Sequence, residues 1–494
     1  MAHTTKTLAE LGLTAQGGAD AAVTGLSVDS RQTKPGHLFA ALPGSRVHGA
    51  EFIQYALRMG AGAVLTDRAG AAMARDVLDA SPAALIVAED PRAALAGAAA
   101  LWFGAQPATV VAITGTSGKT SVATFTRQIW QAMGVQAINI GTMGVLGDFH
   151  APLQHTTPEP ITLHRLLAEA AAAGITHAAM EASSHGLDQR RLDGVRLKAA
   201  GFTNFSQDHL DYHADFAEYF AAKGGLFSRI LPAGASAVVN TADQSGLQMI
   251  ADHIEGRGHR LMLTGPTPAA DLRIIAQRFD ATGQDVRVGW LGEDRQLRLN
   301  LIGGFQAENV LLAAGLCIGS GSPHEEVFRA LAGLSTVPGR MQHVATRQNG
   351  ATVFVDYSHK PGALASALQS LRPHVMGRIV CVFGAGGDRD KLKRPLMGEA
   401  AARHADLVYV TDDNPRSEEP ATIRAEVMAG CPNATEVADR AEAILRGVDA
   451  LGSGDALLIA GKGHETGQIV GDTVYPFDDA EQASVAVAAL EGRI

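Results

Sequence analysis

A chain of 494 residues, 46% hydrophobic and 19% charged, has room for about three ordinary domains and too much apolar content for intrinsic disorder. Its net charge of −10 argues against a general binder of nucleic acid or anionic membrane, while leaving room for local basic pockets. Cys317, Cys381 and Cys431 are too scattered for a disulfide framework or a thiolate zinc site. The start MAHTTKTLAELGL has no apolar signal-peptide core, and no apolar run approaches the roughly 20 residues that span a bilayer. The expectation is a cytoplasmic, monomeric enzyme with no nucleic-acid partner and no membrane insertion.

Two joints divide the chain. At FGAQPATVVAITG an Ala-rich helical stretch ends and Pro107 precedes a β-type run; at LSTVPGRMQ the Pro338-Gly339 pair breaks a helical segment. Domains are therefore expected at 1–106, 107–337 and 338–494. In chain order, TVVAITG, THAAMEASS, AAGFTNFS, ATVFVDYS, RIVCVFGAGG, DLVYVTDD and DALLIAGKG read as buried strands, each followed by a polar or glycine-rich loop. Ala- and Leu-rich helical stretches separate them. This is the pattern of mainly parallel α/β sheets, whose ligands bind beyond the carboxyl ends of the strands.

VVAITGTSGKTSVATF carries the strongest local signal. A strand ends at Thr114, Gly115 and Gly118 permit a tight loop, and Lys119-Thr120 open a helix. Backbone N–H groups and a helix N-terminus then face phosphate, with Lys119 for the terminal phosphates and Thr120 for Mg²⁺. Ile113 stands where the eight-residue P-loop has its first glycine, so this is the shorter GTxGKT form. Glu181, at the end of THAAM, is placed to share a hard cation with Thr120. In FTNFSQDHLDYHADFAEYFAAKGGLF, His209 falls in a loop and Lys223 on a helical segment, where a lysine is ordinarily solvated.

The GTxGKT loop with these segments resembles the Mur ligase family, ATP-dependent amide-forming enzymes related to folylpolyglutamate synthases. The resemblance covers essentially the whole chain. It implies an N-terminal uridine-nucleotide-binding α/β domain, a central P-loop ATPase-type domain with a mainly parallel sheet, and a C-terminal Rossmann-like domain. It further implies that Lys223 carries CO₂ as a carbamate, and that Thr120, Glu181, His209 and Lys223 hold Mg²⁺. The implied ATP contacts are Gly115, Thr116, Ser117, Gly118, Lys119, Thr120 and Ser121 in the loop. Asn309 in GGFQAENVLLAAG joins them, with Arg340 in VPGRM and Asp356 and His359 in VDYSHKPGAL, where the last domain closes over ATP. Departures from the family pattern are Gln306, Ser358, Lys360 and Gly362.

SVDSRQTKPGHLFAALPGSRVHGAEFI resembles the uridine-nucleotide segment of the ligase adding the third peptide residue. Val28, Ser30, Ser45, Arg46 and Val47 map onto its UDP contacts, with His48 where an Asp is common. HTTPEP and SSHGLDQRR match the segments for the UDP-N-acetylmuramoyl dipeptide, giving Thr156, Thr157, Ser184, Gln189 and Arg191. In the last domain Arg389, the stretch Asp413, Asn414, Pro415 and Arg416, and Gly461 with Glu465 are implied to bind the incoming amino acid. Within the family DNPR marks selection of meso-diaminopimelate. The arginines would pair with its distal carboxylate, while Asp413, Asn414 and Glu465 take the ammonium. Glu418 and Glu419 have no assigned role and are expected to be solvated or near the next helix start. Lysine-adding and folate-polyglutamylating relatives, or a regulatory ATPase without ligation, are the competing expectations.

Overall fold

The strand-forming runs are apolar at nearly every position because side chains alternate between two covered sheet faces. In the computed structural model, which describes residues 5–18, 20–44, 47–206 and 212–494, Ile379–Phe383 and Ala456–Ala460 are buried at every position. Thr109–Thr114 is buried at all but its first. Cys381, Phe383 and Leu458 enter one apolar core with the helices Pro361–Leu371 and Lys393–His404. Val380, Val382, Leu457 and Ile459 enter another with Arg440–Asp449 and Asp479–Leu490.

The chain forms two compact units, Met1–Leu263 with Leu312–Val327, and Thr264–Leu311 with Phe328–Ile494. The first unit holds two parallel-dominated sheets. One has the strand order Gly25–Ser27, His37–Ala40, Ala63–Thr66, Ala84–Val87, all parallel. In the other, Thr109–Thr114 lies between the parallel strands His177–Glu181 and Leu197–Phe202. Ala137–Gly141 flanks the former and Ser236–Asn240 the latter, both parallel, and the short strand Gly144–Gly147 closes one edge antiparallel. Helices Pro91–Phe103 and Pro160–Ala172 pack together, and Arg190 Nε pairs with Asp90 at 3.0 Å.

The second unit contains the antiparallel meander Leu272–Asp280, Gly283–Trp290, Glu293–Leu299. Its other sheet is ordered Gln342–Thr346, Thr352–Asp356, Ala456–Ala460, Ile379–Phe383, Leu407–Val410, Thr435–Glu436. Only the first strand of that sheet is antiparallel to its neighbour. Among the described residues no helix is long and apolar enough to cross a membrane.

A fully buried ion pair ties the last helix to this sheet. Arg440 Nε and Nη2 donate to the two Asp479 carboxylate oxygens, each at 2.7 Å, and Nη2 also donates to Ala460 O at 3.0 Å. Truncating one partner strands a buried charge. Asp479→Ala is therefore expected to cost about 3–5 kcal/mol of stability, read as a lower urea midpoint.

Candidate active site

Thr109–Thr114, Ala137–Gly141, His177–Glu181 and Leu197–Phe202 run parallel and in register, so their carboxyl ends form one rim. The loop 115–118 leaves the central strand. Gly115 has φ +139°, and a Cβ there would collide with Thr203 Oγ1. The exit of the adjacent strand clasps the loop. Thr116 N–H donates to Asn204 O at 2.9 Å, Ser117 N–H to Asn204 Oδ1 at 3.0 Å, and Thr203 Oγ1 to Ser117 O at 2.6 Å. Helix Lys119–Ala132 starts from Gly118 with no side-chain cap, so its positive end faces the loop. Lys119 Nζ curls back onto Gly115 O and Thr116 O at 2.9 and 3.0 Å, and Ser121 is buried in the first turn of the helix.

Thr120 Oγ1 donates to both Glu181 oxygens at 3.0 and 3.1 Å, and Thr142 N–H donates to Glu181 Oε1 at 2.9 Å. That carboxylate sits where a Cβ on Gly141 would be, so the neighbouring strand must end in glycine. Lys223, buried on the helix Phe216–Gly225, donates from Nζ to Gly115 O at 2.8 Å and lies 4.4 Å from the Tyr219 ring centre. His209 lies outside the described residues. No group of three His, Cys, Asp or Glu able to hold a metal occurs among the described residues. The hydroxyl–carboxylate pair Thr120–Glu181 does supply two hard oxygen donors of the kind Mg²⁺ takes. As an amine Lys223 is a donor to the phosphate loop and not a metal ligand.

Also within the first unit, a cavity of about 190 Å³ is lined by Val28 and Arg92 from the N-terminal segment, and by Glu159, Gln189 and Arg191 from the central one. Arg191 Nη1 donates to Thr157 O at 2.7 Å, and its Nη2 to Gln189 Oε1 at 2.8 Å. Burial first, then the like charge of Arg92, pull its pKa below the usual guanidinium range. Two guanidiniums on one cavity favour an anionic occupant. Glu159 does not neutralise them freely, because its carboxylate caps the helix Pro160–Ala172 through Ile161 N–H and Thr162 N–H.

Ser184 Oγ is buried with no hydrogen-bond partner among the described residues, which suits a group awaiting a ligand. Thr156 Oγ1 lies 3.0 Å from Thr142 Oγ1. Thr157 differs: its hydroxyl donates to Glu181 O at 2.9 Å and accepts from Ser183 N–H at 3.0 Å, so it braces the loop. Val28 and Val47 are exposed and Ser30 is buried at the start of the short helix Ser30–Gln32; Ser45 and Arg46 lie outside the described residues. His48 caps the turn Gly49–Phe52 through Ala50 N–H, with Nε2 3.2 Å from Asp67 Oδ1, which gives this departure from the family pattern a structural role.

In the second unit, Asp356, Ala460, Phe383 and Val410 are paired in register, and the loops after them share a rim. Asp356 accepts from Met341 N–H at 2.7 Å and from the Ser358 hydroxyl, and burial raises its pKa. Arg340 stacks 4.9 Å from the Tyr357 ring centre. His359 Nδ1 lies 2.8 Å from Tyr357 O, and burial lowers its pKa. Asn309 Nδ2 donates to Gln306 Oε1 at 3.1 Å.

All seven residues expected to hold the incoming amino acid surround this rim. Arg416 has φ +52°, a left-handed conformation costly for arginine, and its Nη1 donates to Gly387 O at 2.8 Å, beside the loop carrying Arg389. Its backbone pairs with the hairpin Gly467–Val470/Thr473–Pro476 through Ile469 O and Gly471 N–H, which holds that conformation in place. Pro415 O packs against Gly387, and Gly461 backs onto Asp413 Oδ2. Asn414 Nδ2 donates to Glu465 Oε2 at 3.0 Å.

One expectation changes here and another is sharpened. Asn414 has no free acceptor for an ammonium, because its Oδ1 already accepts from Lys462 Nζ at 2.8 Å and Ile469 N–H at 3.0 Å. Glu418 lies near the next helix start, as expected, and its carboxylate is ion-paired. It binds the buried Arg394 at 2.9 Å, Lys391 at 3.0 Å and Asp388 N–H at 2.6 Å, and so clamps the Arg389 loop to the Arg416 loop. Glu419 is the residue before the helix Pro420–Met428, as expected.

Three family models match successive parts of the chain. Residues 22–102 match the model of the Mur ligase family catalytic domain, 113–317 the Mur ligase middle domain, and 339–463 the Mur ligase glutamate ligase domain. The chain belongs to the Mur ligase family. It is 50% identical to the UDP-N-acetylmuramoyl-L-alanyl-D-glutamate--2,6-diaminopimelate ligase of Bradyrhizobium diazoefficiens over 94% of this chain and 95% of that one. It is 48% identical to the Rhizobium meliloti enzyme of the same name over 97% of both. A solved structure of a ligase of that name superposes with TM-score 0.72 at 30% identity, covering 99% of this chain and 100% of the other. The expected three-domain mixed α/β Mur ligase architecture is therefore present.

For this Mur ligase, residue-by-residue reading missed Arg92, Thr203, Asn204, Gly141 and Lys462. Only GKGHE, already flanked by two expected residues, carried a signal that could have included Lys462. Gly141→Ala is expected to displace the Glu181 carboxylate and lower ATP-dependent phosphate release by about 100-fold, with little change in thermal midpoint. Wild-type turnover would clear Gly141 of that role.

Proposed function

We propose that this Mur ligase joins meso-diaminopimelate to UDP-N-acetylmuramoyl-L-alanyl-D-glutamate at the expense of ATP, in peptidoglycan precursor synthesis. The observation that carries the reading is the gathering of Arg389 and Arg416 with Asp413 and Glu465 on one rim of the last sheet. The distal end of diaminopimelate carries a carboxylate and an ammonium, and lysine carries only the ammonium. A site holding both signs of charge matches the former and leaves arginines unpaired against the latter. The cavity with Arg92 and Arg191 suits the anionic nucleotide-linked acceptor.

A carboxylate is a poor electrophile, so the acceptor carboxylate first takes the γ-phosphoryl group of ATP, releasing ADP. The amine of diaminopimelate then attacks the acyl phosphate through a tetrahedral intermediate, and phosphate leaves. The loop Gly115–Ser121 cradles the phosphates, and Lys119 leaves its backbone carbonyls to meet them. Asn309, Arg340, Asp356 and His359 would serve the nucleotide as the family resemblance implies. Thr120 and Glu181, with His209, would hold Mg²⁺, which neutralises phosphate charge when bound. Lys223 would take up CO₂, losing a proton and becoming a carbamate that keeps one N–H and gains two acceptor oxygens beside Gly115. The domain boundaries near 106 and 337 and a cytoplasmic location, where ATP and nucleotide sugars are found, belong to the same reading.

Phosphate release should require the muramoyl dipeptide and diaminopimelate together, with ADP as co-product. Equal rates with lysine would refute the specificity, and turnover without an acceptor would refute ligation in favour of a regulatory ATPase. Arg416→Lys loses the bidentate fork and should raise the KM for diaminopimelate about tenfold. Carbon-13 NMR of the enzyme in labelled bicarbonate should show a carbamate signal that Lys223→Ala abolishes; a plain amine in the active enzyme would refute the carbamate.

A further inference from the structure

The lysine in GKGHE is an unusual place for a charge. Lys462 follows the buried strand Ala456–Ala460, and its side chain is wholly enclosed. Its Nζ donates to Asn414 Oδ1 and to Gly467 O, each at 2.8 Å, and lies 3.6 Å from Asp413 Oδ1. Burial lowers its pKa, against the opposing pull of Asp413. A lysine ammonium and a backbone N–H can only donate. The Asn414 atom that receives both Lys462 Nζ and Ile469 N–H must therefore be oxygen. The other amide atom must be nitrogen, which its bond to the Glu465 carboxylate independently requires. The amide has one orientation, fixed from behind.

We propose that Lys462 is a positioning residue for amino-acid selection: it locks the Asn414 amide so that its NH₂ group, with Arg389 and Arg416, donates to the distal carboxylate of the incoming amino acid. One N–H of that group goes to Glu465, and the second would go to the ligand's carboxylate. Asp413 and Glu465 then take the ammonium without Asn414. Lys462 also offsets the charge of Asp413, so the carboxylates on this rim do not repel the ligand's own carboxylate unscreened. The inference rests on the diaminopimelate reading above and refines which groups read each end of that molecule.

The test uses the full-length protein with ATP and muramoyl dipeptide saturating and diaminopimelate titrated. Lys462→Met should raise the KM for diaminopimelate about tenfold while leaving the KM for ATP unmoved. In an Asn414→Leu background the same substitution should add less than about twofold, because its effect runs through the amide. A full independent factor in that background, or an unchanged KM for diaminopimelate in the single variant, would overturn the proposal. Should Lys462→Met fail to fold by circular dichroism, Asn414→Asp carries the test. It keeps the shape but sets an oxygen where the NH₂ stood, so the KM for diaminopimelate should rise about tenfold or more, and an unchanged value overturns the proposal. Wild-type protein that releases no phosphate with both acceptors present would instead overturn the function proposed above.

Discussion

A parallel sheet buried on both faces leaves only its ends for chemistry, and the carboxyl end is where successive strands release their loops on one rim. The catalytic candidates here obey that constraint. The phosphate loop, Glu181 and Thr203-Asn204 leave adjacent parallel strands in the first unit. The loops of Asp356, Arg389, Arg416 and Glu465 leave adjacent parallel strands in the second. Residues far apart in the chain, such as Ser117 and Thr203 at 86 positions, become neighbours because hydrogen-bonded register aligns the ends of their strands. Gly141 shows how tight the alignment is: one methyl group on the next strand would occupy the place of the Glu181 carboxylate.

Buried cations then organise the rim of the last sheet. Arg440 joins the final helix to the strand end at Ala460, Arg394 draws Glu418 between two loops, and Lys462 grips Asn414. Each has carboxylate or carbonyl partners at hydrogen-bond distance, without which burial of the charge would be costly. Buried ion pairs of this kind add little net stability over an apolar replacement, but they admit few alternative arrangements. That geometric restriction suits the selective amino-acid site proposed for this rim. The strained φ of Arg416 belongs to the same design, since the hairpin beside it holds a backbone conformation that arginine does not favour.

Fold class and the phosphate-loop motif were legible in the chain because they depend on local signals, whereas most other candidate residues were named through the family resemblance. Apolar runs ending in glycine or charge announce parallel strands, and GTSGKT announces a phosphate loop by spacing alone. Arg92, Asn204 and Lys462 were not legible, since a lone arginine, asparagine or lysine looks the same whether solvated or enclosed. The ion pairs of Glu418 were hidden for the same reason: its cation partners are Lys391, just before the helix Lys393–His404, and Arg394 within it. DNPR was recognisable as a motif, yet the direction in which Asn414 faces depends on Ile469 and Lys462, about fifty residues away.

The sequence by itself therefore determined which segments become strands, where the phosphate-loop motif lies and which family the chain resembles, because periodicity, glycine placement and short motifs act over a few residues. Only the tertiary structure decided which donors and acceptors are already consumed. Thr157 is spent on Glu181, Glu418 on Arg394, and the Asn414 oxygen on Lys462. A hydrogen bond uses up a specific atom of its partner, and which atoms remain for a ligand is known only once every neighbour is in place.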